Sequence, residues 1–321
     1  MNIVITGGAG FIGSHLAKFY LDRGDRVTVI DNLFSGRKEN IAHLLSHPDF
    51  IFEEEDVCKF ARLKEVLHSA DRIYHMAAIV GQKLVLTHPV EVLSQNIRST
   101  ELVLEMVSQG KKDIKVLIAS SSCVYDRLPS NLPKEETVDL VMASGRFAQE
   151  TYPLSKLVNE VMSLSYGVSK NLHPIIIRLF NVIGPNQTGR YGMVVPSFIR
   201  QALTGEPMTV YGDGSQTRSF CYIDDVLHIL HKLMEMPSCQ GQIINVGSRE
   251  EVSILSLAKL INKKTNSASP IIHIPYQEAY KMEFRDVERR SPVLDKLKSL
   301  IGTFPQTSLE KAIDFMIAAK I

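Results

Sequence analysis

Tyr152-Pro153-Leu154-Ser155-Lys156 sets a phenol and an ammonium four residues apart, a spacing that on a helix brings both to one face, one turn apart. Pro153 is acceptable there only within the first helical turn, where its missing N–H leaves no partner unsatisfied. A free phenol, with a pKa of about 10, is a poor base at neutral pH. A lysine cation within about 6 Å favours the phenolate and makes the tyrosine a base for a hydroxyl proton. The pattern gains weight from Ser120-Ser121-Ser122. Those serines fall at the C-terminal end of a predicted strand, the edge at which open α/β sheets bind ligands.

A site for a dinucleotide, whose oxidised nicotinamide would add positive charge beside the phenol, is written into Ile3-Val4-Ile5-Thr6-Gly7-Gly8-Ala9-Gly10-Phe11-Ile12-Gly13-Ser14-His15. An apolar strand runs into a glycine turn and then a helix start. Gly7, Gly10 and Gly13, or Gly8, Gly10 and Gly13, supply the tight turn, the close approach of backbone to a pyrophosphate and the close helix–sheet packing. The helix N-terminus adds unpaired N–H donors and the positive end of its dipole. Asp31 ends the second predicted strand, where a carboxylate accepts both hydroxyls of the adenine ribose and repels a 2′-phosphate, so NAD is expected rather than NADP. Asp56, with Val57, follows the third strand and suits either the adenine amino group or a helix cap.

These groups need a scaffold. Strands are predicted over 2–5, 26–30, 49–52, 72–75, 114–119, 174–178 and 243–246, with helical periodicity over 14–22, 60–67, 90–108, 152–166 and 224–236. Several strands are apolar almost throughout, as when helices cover both sheet faces. The alternation predicts an α/β fold, a doubly wound parallel sheet (Rossmann) with a smaller C-terminal substrate-binding domain. After Arg178 glycine, proline and polar residues thicken. The expected division is therefore 1–178 with 219–246 for the NAD-binding part, and 179–218 with 247–321 for the substrate part.

Composition bounds the rest. The 321 residues carry 36 basic and 35 acidic side chains and 45% hydrophobic residues, which excludes a disordered chain. The balance also speaks against a nucleic-acid binder, which wants a basic stripe. Cys58, Cys123, Cys221 and Cys239 have neither zinc-site nor disulfide-scaffold spacing and read as reduced thiols of a cytoplasmic protein. No apolar run spans a membrane, no export signal is visible, and no histidine has metal-ligand spacing.

With these residues in view the chain resembles the extended short-chain dehydrogenase/reductase family, in its nucleotide-sugar epimerase/dehydratase branch. The resemblance rests on the glycine turn, Asp31-Asn32-Leu33, His75-Met76-Ala77-Ala78, Ser120 to Tyr125, and Tyr152 with Lys156. It continues through Arg178 to Pro185, Val194 to Phe198 and Tyr211 to Phe220. It implies NAD recycled within each turnover, a UDP-sugar substrate and a homodimer built on the helices around 90–108 and 152–166, with Leu93, Ile97, Leu104 and Val107 as an apolar spacing for it. For the cofactor it implies Gly7, Gly10, Phe11, Ile12, Gly13, Asp31, Asn32, Asp56, Val57, Ala77, Ala78 and Asn96, with Tyr152 and Lys156. Tyr152 is then the base for the sugar 4-hydroxyl, Ser121 shares that hydrogen bond, and Lys156 binds the nicotinamide ribose while lowering the tyrosine pKa. Asn181 and Arg218 match diphosphate-facing positions, Val195, Pro196 and Tyr211 the base pocket, and Arg289 or Arg290 a second phosphate-facing arginine, with Arg289 the candidate. Lys83, Ser122 and Gln216 complete the substrate set.

Dehydratases of this family place an Asp-Glu pair where Ser122 and Cys123 stand, and UDP-glucuronate decarboxylases usually keep a glutamate at Cys123. The expected activity is therefore a UDP-sugar 4-epimerase working through a 4-keto intermediate. The alternative is a UDP-glucuronate decarboxylase, favoured by Gln216 to Tyr222 and by a role for Lys83 toward a uronate. An alternative of another class is a non-catalytic NAD sensor, against which both Tyr152 and Lys156 speak. Asp126 replaces the glycine that normally follows Val124-Tyr125. Cys123 reads as a small filler before it reads as an acid.

Overall fold

The protein is described by a computed structural model covering residues 1–110, 113–142, 148–281 and 284–319. The apolar runs become strands because both of their faces find cover. In β1 (Asn2–Thr6) Ile3 and Ile5 enter one core layer and Val4 the other, following the two-residue period of a strand. In β5 (Lys115–Ser121) Leu117 joins the first layer while Val116 and Ile118 join the second. The strands β2 (Arg26–Ile30), β3 (Phe50–Glu53), β4 (Arg72–His75) and β6 (Ile175–Leu179) complete the N-terminal set. Further strands follow: β7 (Val182–Ile183), β8 (Met208–Tyr211), β9 (Thr217–Ser219), β10 (Cys221–Tyr222), β11 (Ile243–Val246), β12 (Glu251–Ser253), β13 (Ile271–Ile274) and β14 (Arg289–Arg290).

The main sheet has seven parallel strands in the order β11-β6-β5-β4-β1-β2-β3. The direction of winding reverses between β1 and β4, which opens a crevice at their C-terminal ends. Helices α1 (Phe11–Leu21) and α7 (Ile223–Glu235) cover one face. On the other lie α2 (Leu63–Ser69), α4 (Pro89–Ser108) and α5 (Thr151–Lys170), with the short α3 (Gln82–Thr87) beside them. The C-terminal region adds α6 (Val194–Thr204), α8 (Ile254–Thr265), α9 (Tyr276–Tyr280), α10 (Asp295–Ile301) and α11 (Leu309–Ala318). Its strands form small sheets, β9 between β12 and β14, β8 with β13 and β7 with β10.

Several boundaries differ from the sequence reading. Helix α1 begins at Phe11 rather than residue 14, because extended Gly10 is its N-cap. Helix α2 begins at Leu63 rather than residue 60, because the Asp56 carbonyl closes a separate turn with the N–H groups of Lys59 and Phe60. Strand β5 continues through Ser121. Helix α5 runs to Lys170 and stops at Asn171, whose φ of +54° is left-handed. Leu104 and Val107, expected to serve an interface, are buried in the core under the sheet. No helix among the described residues is long and apolar enough to cross a membrane.

Candidate active site

The chain leaves β1 through Gly7, whose φ of +71° favours glycine. A Cβ there would stand 2.7 Å from the backbone of Ala77, just past β4. Only glycine lets the β1–α1 turn press against that segment at the reversal of the sheet. One turn into α1, a Cβ on Gly13 would stand 2.3 Å from the Gly7 carbonyl oxygen. Helix α1 has no side-chain cap and no acid in its first turn, and Gly10, Phe11, Ile12 and Gly13 line the cavity. Its N-terminal donors and dipole therefore remain available to an anion.

Asp31, at the end of β2, accepts the N–H of Ala9 (2.9 Å) and of Leu33 (2.8 Å). Burial pushes its carboxyl above the usual range while these backbone donors pull it back. A carboxylate offers about four acceptor sites, so ribose hydroxyls still find partners. Asp56 uses one oxygen to cap its turn through Cys58 N (2.8 Å), and the Asn32 amide holds the other at 3.2 Å. Asn96 on α4 accepts from Ile79 N (2.8 Å) and donates to Ile79 O (3.2 Å), fixing the loop after Ala77 and Ala78. These residues and Val57 line the same cavity, and together they fit a dinucleotide.

At the other end, Tyr152 and Lys156 lie in the first turns of α5, with Pro153 where a proline is tolerated. Lys156 is buried; its ammonium donates to the Ala119 carbonyl at 2.8 Å and lies 5.8 Å from the centre of the Tyr152 ring. Burial lowers its pKa to about 8, with Glu160 pulling it back up. The phenol departs from expectation: burial, then competition with the neighbouring Cys123 thiol for ionisation, push its pKa well up, against the Ser121 hydrogen bond and the Arg290 charge. In the chain's own field desolvation outweighs any help from Lys156, so the phenolate needs charge brought by ligands. The Cys123 thiol is likewise pushed up, by burial and then by Asp126, which suits a neutral filler.

A buried network fixes this floor. Arg178 on β6 donates to both oxygens of Glu160 on α5 (2.9 and 2.7 Å) and to the Tyr125 hydroxyl (2.7 Å). Ser120 donates to Glu160 at 2.5 Å, and Tyr125 to Asn245 at 2.9 Å. Every partner sits on a different element, so the network ties α5 to the sheet beneath Lys156. Buried networks of this kind hold geometry when fully satisfied.

The cavity, of about 870 Å³, continues over the C-terminal region past Ser121, Ser122, Asn181, Val195, Pro196, Tyr211, Gln216 and Arg218. Asn181, at a φ of +25°, donates to Ser219 O at 2.8 Å. Arg218 pairs with Asp286 at 2.8 Å and donates to Val287 O at 2.6 Å. Tyr276 donates to Asp286 at 2.5 Å, and Gln216 donates to the Tyr276 hydroxyl at 2.9 Å. Arg290 pairs with Asp126 at 2.7 Å, their side chains only 15% and 20% exposed.

Two sequence candidates lie outside the cavity. Lys83 is exposed on α3, whose inward face is Leu84 and Val85. Arg289 turns outward and its Nε bonds both Glu251 oxygens at 3.0 Å. Strand alternation sends the next residue inward, so Arg290 and not Arg289 lines the cavity. Sequence reasoning passed over Asp286 and the ring cluster of Tyr276, Tyr280 and Phe284, where Tyr280 and Phe284 stand 4.2 Å apart. Their four-residue spacing was the available signal.

Comparison with known proteins extends the picture. Residues 3–247 match Epimerase, the NAD dependent epimerase/dehydratase family. The chain is 35% identical over 311 residues to UDP-N-acetyl-alpha-D-glucosaminuronate decarboxylase of Bacillus cytotoxicus, across 97% of this chain and 94% of that one. It is 35% identical over 322 residues to UDP-glucuronic acid decarboxylase 2 of Arabidopsis thaliana, across 99% of this chain and 67% of that one. The crystal structure of UDP-glucuronic acid 4-epimerase from Bacillus cereus, in complex with UDP-glucuronic acid and NAD, superposes with a TM-score of 0.88 at 27% identity, covering 99% and 98% of the two chains.

Proposed function

The chain belongs to the NAD dependent epimerase/dehydratase family, and from that premise we propose that it decarboxylates a UDP-hexuronate after oxidising the sugar at C4. This reading replaces the 4-epimerase expected first and takes up its alternative. The observation that carries it is Arg290. This cavity-lining guanidinium acts on the Tyr152 phenol, and its buried Nε has no hydrogen-bond partner among the described residues. A fixed cation with a free donor edge suits a substrate carboxylate. The similarity to enzymes named as decarboxylases supports the same assignment.

In this reading the glycine turn and the start of α1 hold the pyrophosphate, Asp31 accepts the adenine ribose hydroxyls, and Lys156 donates to the nicotinamide ribose. Bound NAD would supply a reversible hydride acceptor at C4. Tyr152, oriented by Ser121, takes the 4-hydroxyl proton as the carbinol becomes a ketone. Arg218 and Asn181 take the diphosphate; Val195, Pro196 and Tyr211 enclose the base. The ketone makes the substrate a β-keto acid. Its carboxylate leaves as carbon dioxide and the bonding electrons pass to the C4 carbonyl, which the Tyr152 O–H steadies.

We also propose a homodimer. Leu154, Val161, Leu164 and Val168 form an exposed apolar stripe on α5, with Val168 92% exposed, at the spacing of a helix-pairing seam. This stripe, rather than the buried Leu104 and Val107, is the surface for pairing.

Incubation of the NAD-loaded protein with UDP-glucuronate, UDP-N-acetylglucosaminuronate and UDP-glucose, each separately, tests the activity. Carbon dioxide release and pentose signals by proton NMR are expected from a uronate. Inversion at C4 with the carboxylate retained would establish the epimerase instead.

A further inference from the structure

Decarboxylation consumes a proton. When carbon dioxide leaves, C5 must gain a hydrogen, and the group that delivers it must be poised near the ketone. Tyr152 is committed, because the proton it takes from O4 must go back to O4. The Cys123 thiol is pushed up by burial and makes a weak acid. No carboxyl stands at Cys123 itself, but one stands three residues on.

Asp126 follows the 3-10 turn Ser122–Tyr125, with its own N–H bonded to Cys123 O at 3.0 Å. Its carboxylate lines the cavity, pairs with Arg290 Nη2 at 2.7 Å, and acts with Arg290 on the Tyr152 phenol. Of the other cavity acids, Glu55 and Glu91 are exposed to solvent. Asp31 and Asp56 serve the dinucleotide end, and Asp286 holds Arg218 and Tyr276. Asp126 Oδ1 is held by that ion pair, whereas Arg290 Nε is buried without a hydrogen bond among the described residues, so Arg290 keeps a donor for a second carboxylate.

We propose that Asp126 is the acid that protonates C5 of the sugar after carbon dioxide has left, taking up its proton when the substrate carboxylate joins it on Arg290. The inference rests on the decarboxylase reading. Two carboxylates on one guanidinium in a desolvated site do not both stay ionised. Around Asp126 the cations are Arg290, Arg218, Arg127 and Lys134, and the acidic groups are Asp286, Cys123 and Tyr152. Burial already favours its neutral form, and the incoming uronate charge adds to that. The balance closes. Asp126 binds one proton from solvent, the C5–C6 bond breaks with its electrons moving into the C4 enolate, and C5 takes the Asp126 proton as the ketone re-forms. Arg290 retains the carboxylate left behind.

The test uses the NAD-loaded protein and UDP-glucuronate, or UDP-N-acetylglucosaminuronate if only that is turned over, in deuterated water. Wild type is expected to place deuterium on a single face of C5. Asp126→Asn is expected to build up reduced cofactor on substrate addition, to lower pentose formation about 100-fold, and to deuterate both faces. Asp126→Glu is expected to restore part of the rate and the single face. Random deuteration by wild type, or D126N working at the wild-type rate with one face labelled, overturns the role of Asp126 while leaving the decarboxylase intact. D126N and D126E that both fail to form reduced cofactor assign the residue to binding and overturn it too. A wild type that releases no carbon dioxide from either uronate overturns the decarboxylase reading and Asp126 with it.

Discussion

Lys156 Nζ lies 5.8 Å from the centre of the Tyr152 ring and gives a 2.8 Å hydrogen bond to the Ala119 carbonyl. The ammonium is thus anchored to the end of β5 beside the phenol, in a space dry enough to bring its own pKa down to about 8. Its folded pKa lies below the unfolded lysine value of about 10.4. Between these values the unfolded chain binds more protons, so this group makes stability rise with pH, from a penalty that is complete below about pH 8. Lys156→Met removes that term. Relative to the variant, the wild type is expected to gain about 2 kcal/mol between pH 8 and 10 in urea unfolding, and parallel pH curves would refute it.

Gly13→Ala tests the nucleotide turn. The added Cβ would stand 2.3 Å from the Gly7 carbonyl, so turn and helix must separate. Overpacking of this kind costs about 1–3 kcal/mol. NAD affinity, by calorimetric titration, is expected to fall at least about tenfold. Unchanged affinity would show that the close approach is not needed for the cofactor.

Glu160→Gln tests the floor under Lys156. It leaves the buried guanidinium of Arg178 without its carboxylate, and breaking a buried pair from one side costs about 3–5 kcal/mol. The midpoint of denaturation should drop accordingly. Loss of the Glu160 charge should also lower the Lys156 pKa further, since that charge is what raises it.

Val161→Glu tests the pairing surface. Val161 is 57% exposed, and a surface change of this sort alters a monomer by only about 0.5 kcal/mol. Sedimentation velocity is expected to give a dimer for the wild type at micromolar concentration and a folded monomer for the variant. A wild type that sediments as a monomer removes the dimer.

Much of the fold was legible because it is governed by local period. Ile3, Val4 and Ile5 announce a strand covered on both faces, and the four residues from Tyr152 to Lys156 announce one helical face. Boundaries were less legible where a turn imitates a helix, as between Asp56 and Phe60, whose hydrogen bonds close on a single carbonyl. Among site residues, Arg289 and Arg290 show the limit. Both are arginines in one short strand, and neither type nor spacing says which faces inward.

By itself the sequence determined the elements, the glycine turn with its acidic partner Asp31, and the pairing of phenol with ammonium, all set by contacts within a few residues. Tertiary structure decided the rest. It turned Arg290 inward, gave it Asp126 from a distant segment as partner, and sealed Tyr152 so that burial, more than Lys156, sets its acidity. The reason is physical: desolvation and ion pairing depend on what surrounds a group from every side, and the chain writes those neighbours far apart.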